Sequence, residues 1–145
     1  MDFKDYEYWE KKNEKYLEEF AEYLEEKGFK EATVRRHYSN VIFFLNNYLG
    51  VSNQEPMEAG PEYIADYFGY YFIKKCMWST PKSIKTTIAS VKKFYKLMVD
   101  NGHLKQAAYD DMVSWIEDEQ YEWMNRCARY NDPDYDWDPA TDWFE

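Results

Sequence analysis

Five lysines, Lys82, Lys85, Lys92, Lys93 and Lys96, recur along one stretch of the chain, and no acid interrupts it from Lys82 through Val99. An ammonium group on a flexible stem is a compact point charge, and a row of them can follow a phosphate backbone without reading its bases. Ser83, Thr86 and Ser90 add hydroxyls that can hydrogen-bond phosphate. An earlier set, Thr33, Arg35, Arg36, His37 and Asn40, is also basic and polar, and the guanidinium fork of Arg36 suits the edge of a guanine. The candidate DNA-binding residues are therefore Thr33, Arg35, Arg36, His37, Asn40, Lys82, Ser83, Lys85, Thr86, Lys92, Lys93 and Lys96. A plainer reading stands beside each: a solvated helix face for the lysines, a half-buried boundary position for His37, and docking to an acidic protein surface for the whole row.

Other chemistry finds less support. Carboxylates abound, but no histidine partner or ligand set accompanies them, so no catalytic residue is assigned and the chain is not expected to be an enzyme. Cys76 and Cys127 stand apart, without the spacing of a metal site, and read as free, buried thiols. No metal, cofactor or small-molecule substrate is expected. No apolar run reaches the length of a membrane span, and the acidic Met1–Asp5 start lacks a signal-peptide core. The cytoplasm is the expected compartment.

Charge is unevenly spread. The 145 residues carry a net charge of −10. Residues 82–105 hold six bases and one acid, and residues 28–53 three bases and one acid, whereas residues 106–145 hold twelve acids and two bases. Two basic segments inside an acidic chain say more about a partner than the total does.

These residues must be positioned by helices. Around the lysines, Ile84, Thr87, Ile88, Val91, Phe94, Tyr95 and Met98 fall within an arc of about 120°, opposite the basic arc. Thr80 can cap this helix, Pro81 suits its first position, and Asn101-Gly102 offers a left-handed stop. Residues 6–26 read as a first helix, with Trp9, Tyr16, Leu17, Phe20, Ala21 and Leu24 on one side, ended at Gly28. A second spans about 31–49, with Val34, Tyr38, Val41, Leu45, Tyr48 and Leu49 as its stripe and Gly50 as its stop. A loop follows at 51–60. Pro61 then opens a third helix to about Lys75, with Gly69 hinting at a close helix contact. A fifth spans about 106–130 with an acidic outer face. Two prolines and alternating acids argue against a stable helix in 131–145, while Tyr135, Trp137, Trp143 and Phe144 argue against a purely solvated tail.

The order of these features resembles a known family. Gly28-Phe29, the run Ala32-Thr33-Val34-Arg35-Arg36-His37-Tyr38, Val41 and Phe44-Leu45 form one block. Ser83-Ile84-Lys85, the run Ile88-Ala89-Ser90-Val91-Lys92-Lys93-Phe94-Tyr95-Lys96-Leu97 and Asn101-Gly102-His103-Leu104 form the second. Together, over about 16–104, they resemble the N-terminal core-binding, SAM-like domain of tyrosine recombinases of the phage-integrase type. The resemblance implies an all-α, compact bundle of four to five helices whose second and fourth helices lie across DNA. It implies a separate catalytic domain for strand cleavage, with an Arg, a His-x-x-Arg and a tyrosine nucleophile. Here His37 is followed three residues on by Asn40, and His103 by Gln106, so cleavage by this chain alone is not expected. Lys30 stands where a small capping residue is usual, and an acidic helix and tail replace the linker.

The expected organisation is a core-binding-like helical domain at 1–104, an acidic C-terminal helix at 105–130 packed on it, and an acidic aromatic tail at 131–145. The acidic fifth helix and tail are expected to repel DNA elsewhere, restrict docking to one face and even cover the basic face in the free protein. The expected partner is duplex DNA, held weakly and salt-dependently. The alternative is a protein-interaction or regulatory module, a DNA mimic or a partner of a recombinase or of its own copies, with Trp115, Trp123, Trp137 and Trp143 as anchors.

Overall fold

A computed structural model describes residues 3–76 and 78–143. Met1, Asp2, Met77, Phe144 and Glu145, on which parts of the tail and loop expectations fall, lie outside the described residues. The chain is all-α, with no strand among the described residues. Among the described residues seven α-helices follow in order: α1 Phe3–Glu26, α2 Glu31–Ile42, α3 Ile64–Asp66, α4 Phe72–Lys75, α5 Pro81–Asp100, α6 Gln106–Asn131 and α7 Pro139–Asp142.

Helix α5 is the central member, packed by α2 on one flank and α6 on the other. Its start is a capping box: the Thr80 hydroxyl accepts from the Ser83 amide at 3.0 Å, and the Ser83 hydroxyl accepts from the Thr80 amide at 2.7 Å. Two orphan donors of the first turn are thereby satisfied, and Pro81 brings none. Gly102, at φ +82°, ends the element in the left-handed region. All seven residues of the predicted apolar arc are buried. Gly28 ends α1 in the same way at φ +77°. Lys30 begins α2 with no side-chain cap bond, as a long basic side chain would.

The second and third helices depart from the simple expectation. The chain does not stop at Gly50: α2 runs on as a π-helical segment, Phe43–Ser52. Gly50 is there for a close approach instead, since a Cβ on it would lie 2.5 Å from Trp9 Cγ. The expected loop is shorter, because Met57–Tyr63 is a 3-10 helix with Pro61 inside it. The third helix is broken into α3, a π-helical turn Tyr67–Tyr71, and α4. Gly69 in that turn does lie under another helix, and its carbonyl accepts from Arg126 Nη1 of α6 at 2.8 Å.

The core is built largely of rings. Phe44, Tyr48 and Tyr67 meet at centroid distances of 4.7–5.6 Å, and Phe20 meets Phe94 edge-on at 5.4 Å. Such pairs add about 0.5–1.5 kcal/mol beyond the area they bury. Cys76 and Cys127 are free and buried, and burial pushes the Cys76 thiol up to about 12.

The tail is more ordered than its composition predicts. Asp138 caps a single helical turn, α7, by accepting from the Ala140 amide at 3.0 Å. Asp142 is buried, accepting from Tyr135 Oη at 2.8 Å and from the Asp138 amide at 2.9 Å, with Arg129 Nε 3.2 Å away. Trp143 packs on Tyr70, Tyr130 and Trp137. The described tail therefore lies against the end of α6 and Tyr70, not over the lysines of α5. Aromatic contacts and one satisfied carboxylate outweigh its acidity.

Candidate nucleic-acid interface

Helices α2 and α5 run antiparallel. Phe29, just before α2, carries the Lys93 ammonium 5.1 Å above its ring, His37 meets Ser90, and Phe43 meets Trp78 just before α5. The seam between them is polar. His37 Nδ1 lies 2.7 Å from Ser90 Oγ, Asn40 Nδ2 donates to the same oxygen at 3.0 Å, and Ser90 Oγ is within 3.2 Å of the Thr86 carbonyl. These groups satisfy one another where burial would otherwise penalise each.

Two cations converge on this seam. Burial, then Lys93, then Arg36 hold the His37 imidazole below its ordinary value. One cation comes from each helix, so the basic surfaces of α2 and α5 meet there. Lys82 and Thr86 lie on the same side of α5 as Lys93 at 100° per residue, whereas Lys85 and Lys92 turn toward the α6 flank. Lys82, Lys85 and Arg36 are exposed, and Lys92 and Lys93 half-buried. None of the five forms an ion pair with a carboxylate of the described residues.

The remaining candidates sit less favourably. Arg35, about 100° round from Arg36, pairs with Glu31 at 2.7 Å. Lys96 is 3.4 Å from Asp100 and near the Tyr109 ring. His37 is only 7% exposed and Ser90 fully buried, so both side chains are committed to the helix seam. The Ser83 hydroxyl is engaged in the cap, and Thr86 Oγ1 donates to the Ser83 carbonyl at 3.1 Å. Thr33 and Asn40 are half-buried at the edge of the seam.

The other flank of α2 has the opposite sign. A groove of about 780 Å³ between α1 and α2 is lined by four glutamates, Glu7, Glu10, Glu14 and Glu18, against two lysines, Lys4 and Lys11. Burial first, and then the charges of Glu18, Glu10 and Glu14, push the Tyr38 hydroxyl up. A polyanion therefore finds one attractive flank of α2 and one repulsive flank. Sequence reading missed two elements of this region. One is Phe29, which steers Lys93. The other is a small cleft at the Trp78 end of the seam, lined by residues brought from four separate stretches of chain.

Of the expected protein-docking anchors, Trp123 is buried against Phe68, and Trp137 and Trp143 pack on each other. Helix packing and the docked tail consume them, and Trp115 alone of the four is exposed, at 41%. No helix of the described residues is long and apolar enough to cross a membrane.

The family model described as phage integrase, N-terminal SAM-like domain, matches residues 16–102. No curated protein and no solved structure gives a match. The match spans more than half of the chain, and the chain belongs to this family of recombinase-related helical domains.

Proposed function

We propose that this member of the phage integrase N-terminal SAM-like family grips duplex DNA through the α2–α5 face and supplies binding rather than strand cleavage. The observation that carries the reading is the row Lys82, Lys85, Lys92 and Lys93. It lacks carboxylate partners among the described residues and is continued across the seam by Arg36. An ordinary exposed helix face mixes signs. This one carries no acid from Lys82 through Val99, in a chain of net charge −10.

The contacts are to phosphate and are weak. Lysines position a duplex without selecting its sequence, and Arg36 is the side chain suited to a base edge. The acidic α1–α2 groove and the acidic face of α6 repel the backbone elsewhere and confine docking to one surface. Five or so phosphate contacts give a log–log salt slope of about −5. Fluorescence anisotropy of a labelled duplex, titrated with the full chain at several salt concentrations, measures it. Absent or salt-independent binding removes the proposal.

The alternative, a protein-docking or regulatory module, retains one supporting observation. Trp115 and Tyr121 are exposed, at 41% and 67%, on the acidic α6. A stable dimer by light scattering, or a nuclease-resistant partner, favours it.

A further inference from the structure

At the Trp78 end of the α2–α5 seam lies a cleft of about 320 Å³. Phe43, Tyr67 and Trp78 wall it with rings, and Ser39, Asn40 and Thr87 supply polar groups. Its volume is at the small end of the roughly 300–1,000 Å³ that ligand pockets span, a size for one planar ring. We infer that this cleft takes a single unpaired nucleobase from DNA held on the neighbouring cationic face, an inference that rests on the DNA-gripping role above.

Three observations point to that occupant. The first is the exposed ring at the mouth. Trp78 is 59% exposed and meets Phe43 edge-on at 5.7 Å, which leaves an indole face open to stacking. Bases stack on aromatic side chains whatever their sequence, because every base has a π face. The second is unspent hydrogen-bonding capacity. The Asn40 amide uses one N–H on Ser90 Oγ. Its other N–H and its oxygen form the donor–acceptor pair that matches an adenine edge. The third is charge. Asn40 in the wall lies one turn along α2 from the exposed Arg36, so the cleft adjoins a cation of the proposed face. A neutral apolar ligand or an apolar protein side chain makes no use of that cation. A base arriving on its phosphate backbone does.

The test uses the full chain and three duplexes of one sequence: fully paired, with one central unpaired adenine, and with an abasic residue at the same bulge. Anisotropy at fixed salt is expected to give about tenfold tighter binding to the unpaired adenine than to either of the others. Trp78→Ala is expected to bring that ratio to about one, while Tyr121→Ala, at an exposed ring on α6, keeps it near ten. Equal binding of the adenine and abasic bulges would mean that backbone flexibility, not a base, is recognised, and would overturn the inference. Retention of the ratio in Trp78→Ala would overturn it too. Binding to the paired duplex without any bulge preference sinks the cleft alone. Failure to bind all three duplexes sinks the DNA-gripping role as well.

Discussion

His37 Nδ1 and Ser90 Oγ lie 2.7 Å apart across the α2–α5 seam, with Lys93 and Arg36 flanking the same imidazole. The ring's pKa falls on folding, so below its ordinary value of 6.5 the unfolded chain binds more protons than the folded one. His37 thus makes the fold less stable as pH drops from above 6.5 through the folded value. Phosphates at Lys93 and Arg36 offset their repulsion of the ring and raise its pKa, so DNA binding is expected to strengthen as pH falls below 6.5 toward the ring's lowered value. Proton NMR of the His37 ring with and without duplex checks this. A titration midpoint unmoved by DNA argues against contact at those two cations.

Neighbouring arginines are expected to behave differently. Arg36→Ala and Lys93→Ala each lower duplex affinity and reduce the size of the salt slope by about 1. Arg35→Ala changes both little, because its guanidinium is paired with Glu31 on another side of α2. Anisotropy salt series on the three variants read the difference. A slope lost equally at Arg35 would place the duplex elsewhere on α2.

Two core tyrosines offer a contrast in stability. The Tyr48 hydroxyl donates to Asp66 Oδ2 at 2.6 Å, and Tyr48→Phe is expected to cost about 1.5–3 kcal/mol as a hydrogen bond to a charged group is lost. Tyr67→Phe removes a hydroxyl that has no partner and is expected to be neutral or stabilising. Urea unfolding at neutral pH measures both.

Gly60 tolerates no side chain. A Cβ there would collide with the Tyr95 hydroxyl, which is fixed by donating to the Met57 carbonyl at 2.8 Å. Gly60→Ala is expected to destabilise by about 1–3 kcal/mol, as overpacking does. A smaller urea-unfolding loss for Gly60→Ala in a Tyr95→Leu background, where both the hydroxyl and the ring carbon that bears it are gone, than in the parent chain would identify the clash as the cause.

The tail depends on one carboxylate. Donation from the Asp138 amide and from Tyr135, then the nearby Arg129, hold Asp142 below the usual carboxylate range. Its contribution is therefore present above pH 3.8 and lost as pH falls through the folded value. Asp142→Asn is expected to release residues 132–143 at neutral pH, seen as faster amide hydrogen exchange there with α5 protection unchanged.

Helix α5 was legible from end to end, because its cap, its proline, its left-handed stop and its apolar arc are local signals that agree. The π-helical turns were not. In Phe43–Ser52 apolar residues lie nearly all the way round, so a wheel drawn on them does not distinguish one helical period from another. Gly50 and Gly60 read as punctuation, yet they mark close approach to Trp9 and Tyr95, partners 41 and 35 residues away. The charges at the candidate interface could be counted in advance. The inward turn of His37 and Ser90 could not, since each faces a partner on another helix, 53 residues away in the chain.

The polar seam has a mechanical consequence. An apolar helix contact can slide by a turn and still repack. A slip here would separate Ser90 from both His37 and Asn40 at once and leave the buried His37 imidazole without its partner. The interval between the Arg36 and Lys93 cations is accordingly fixed as in a caliper, set before any polyanion arrives.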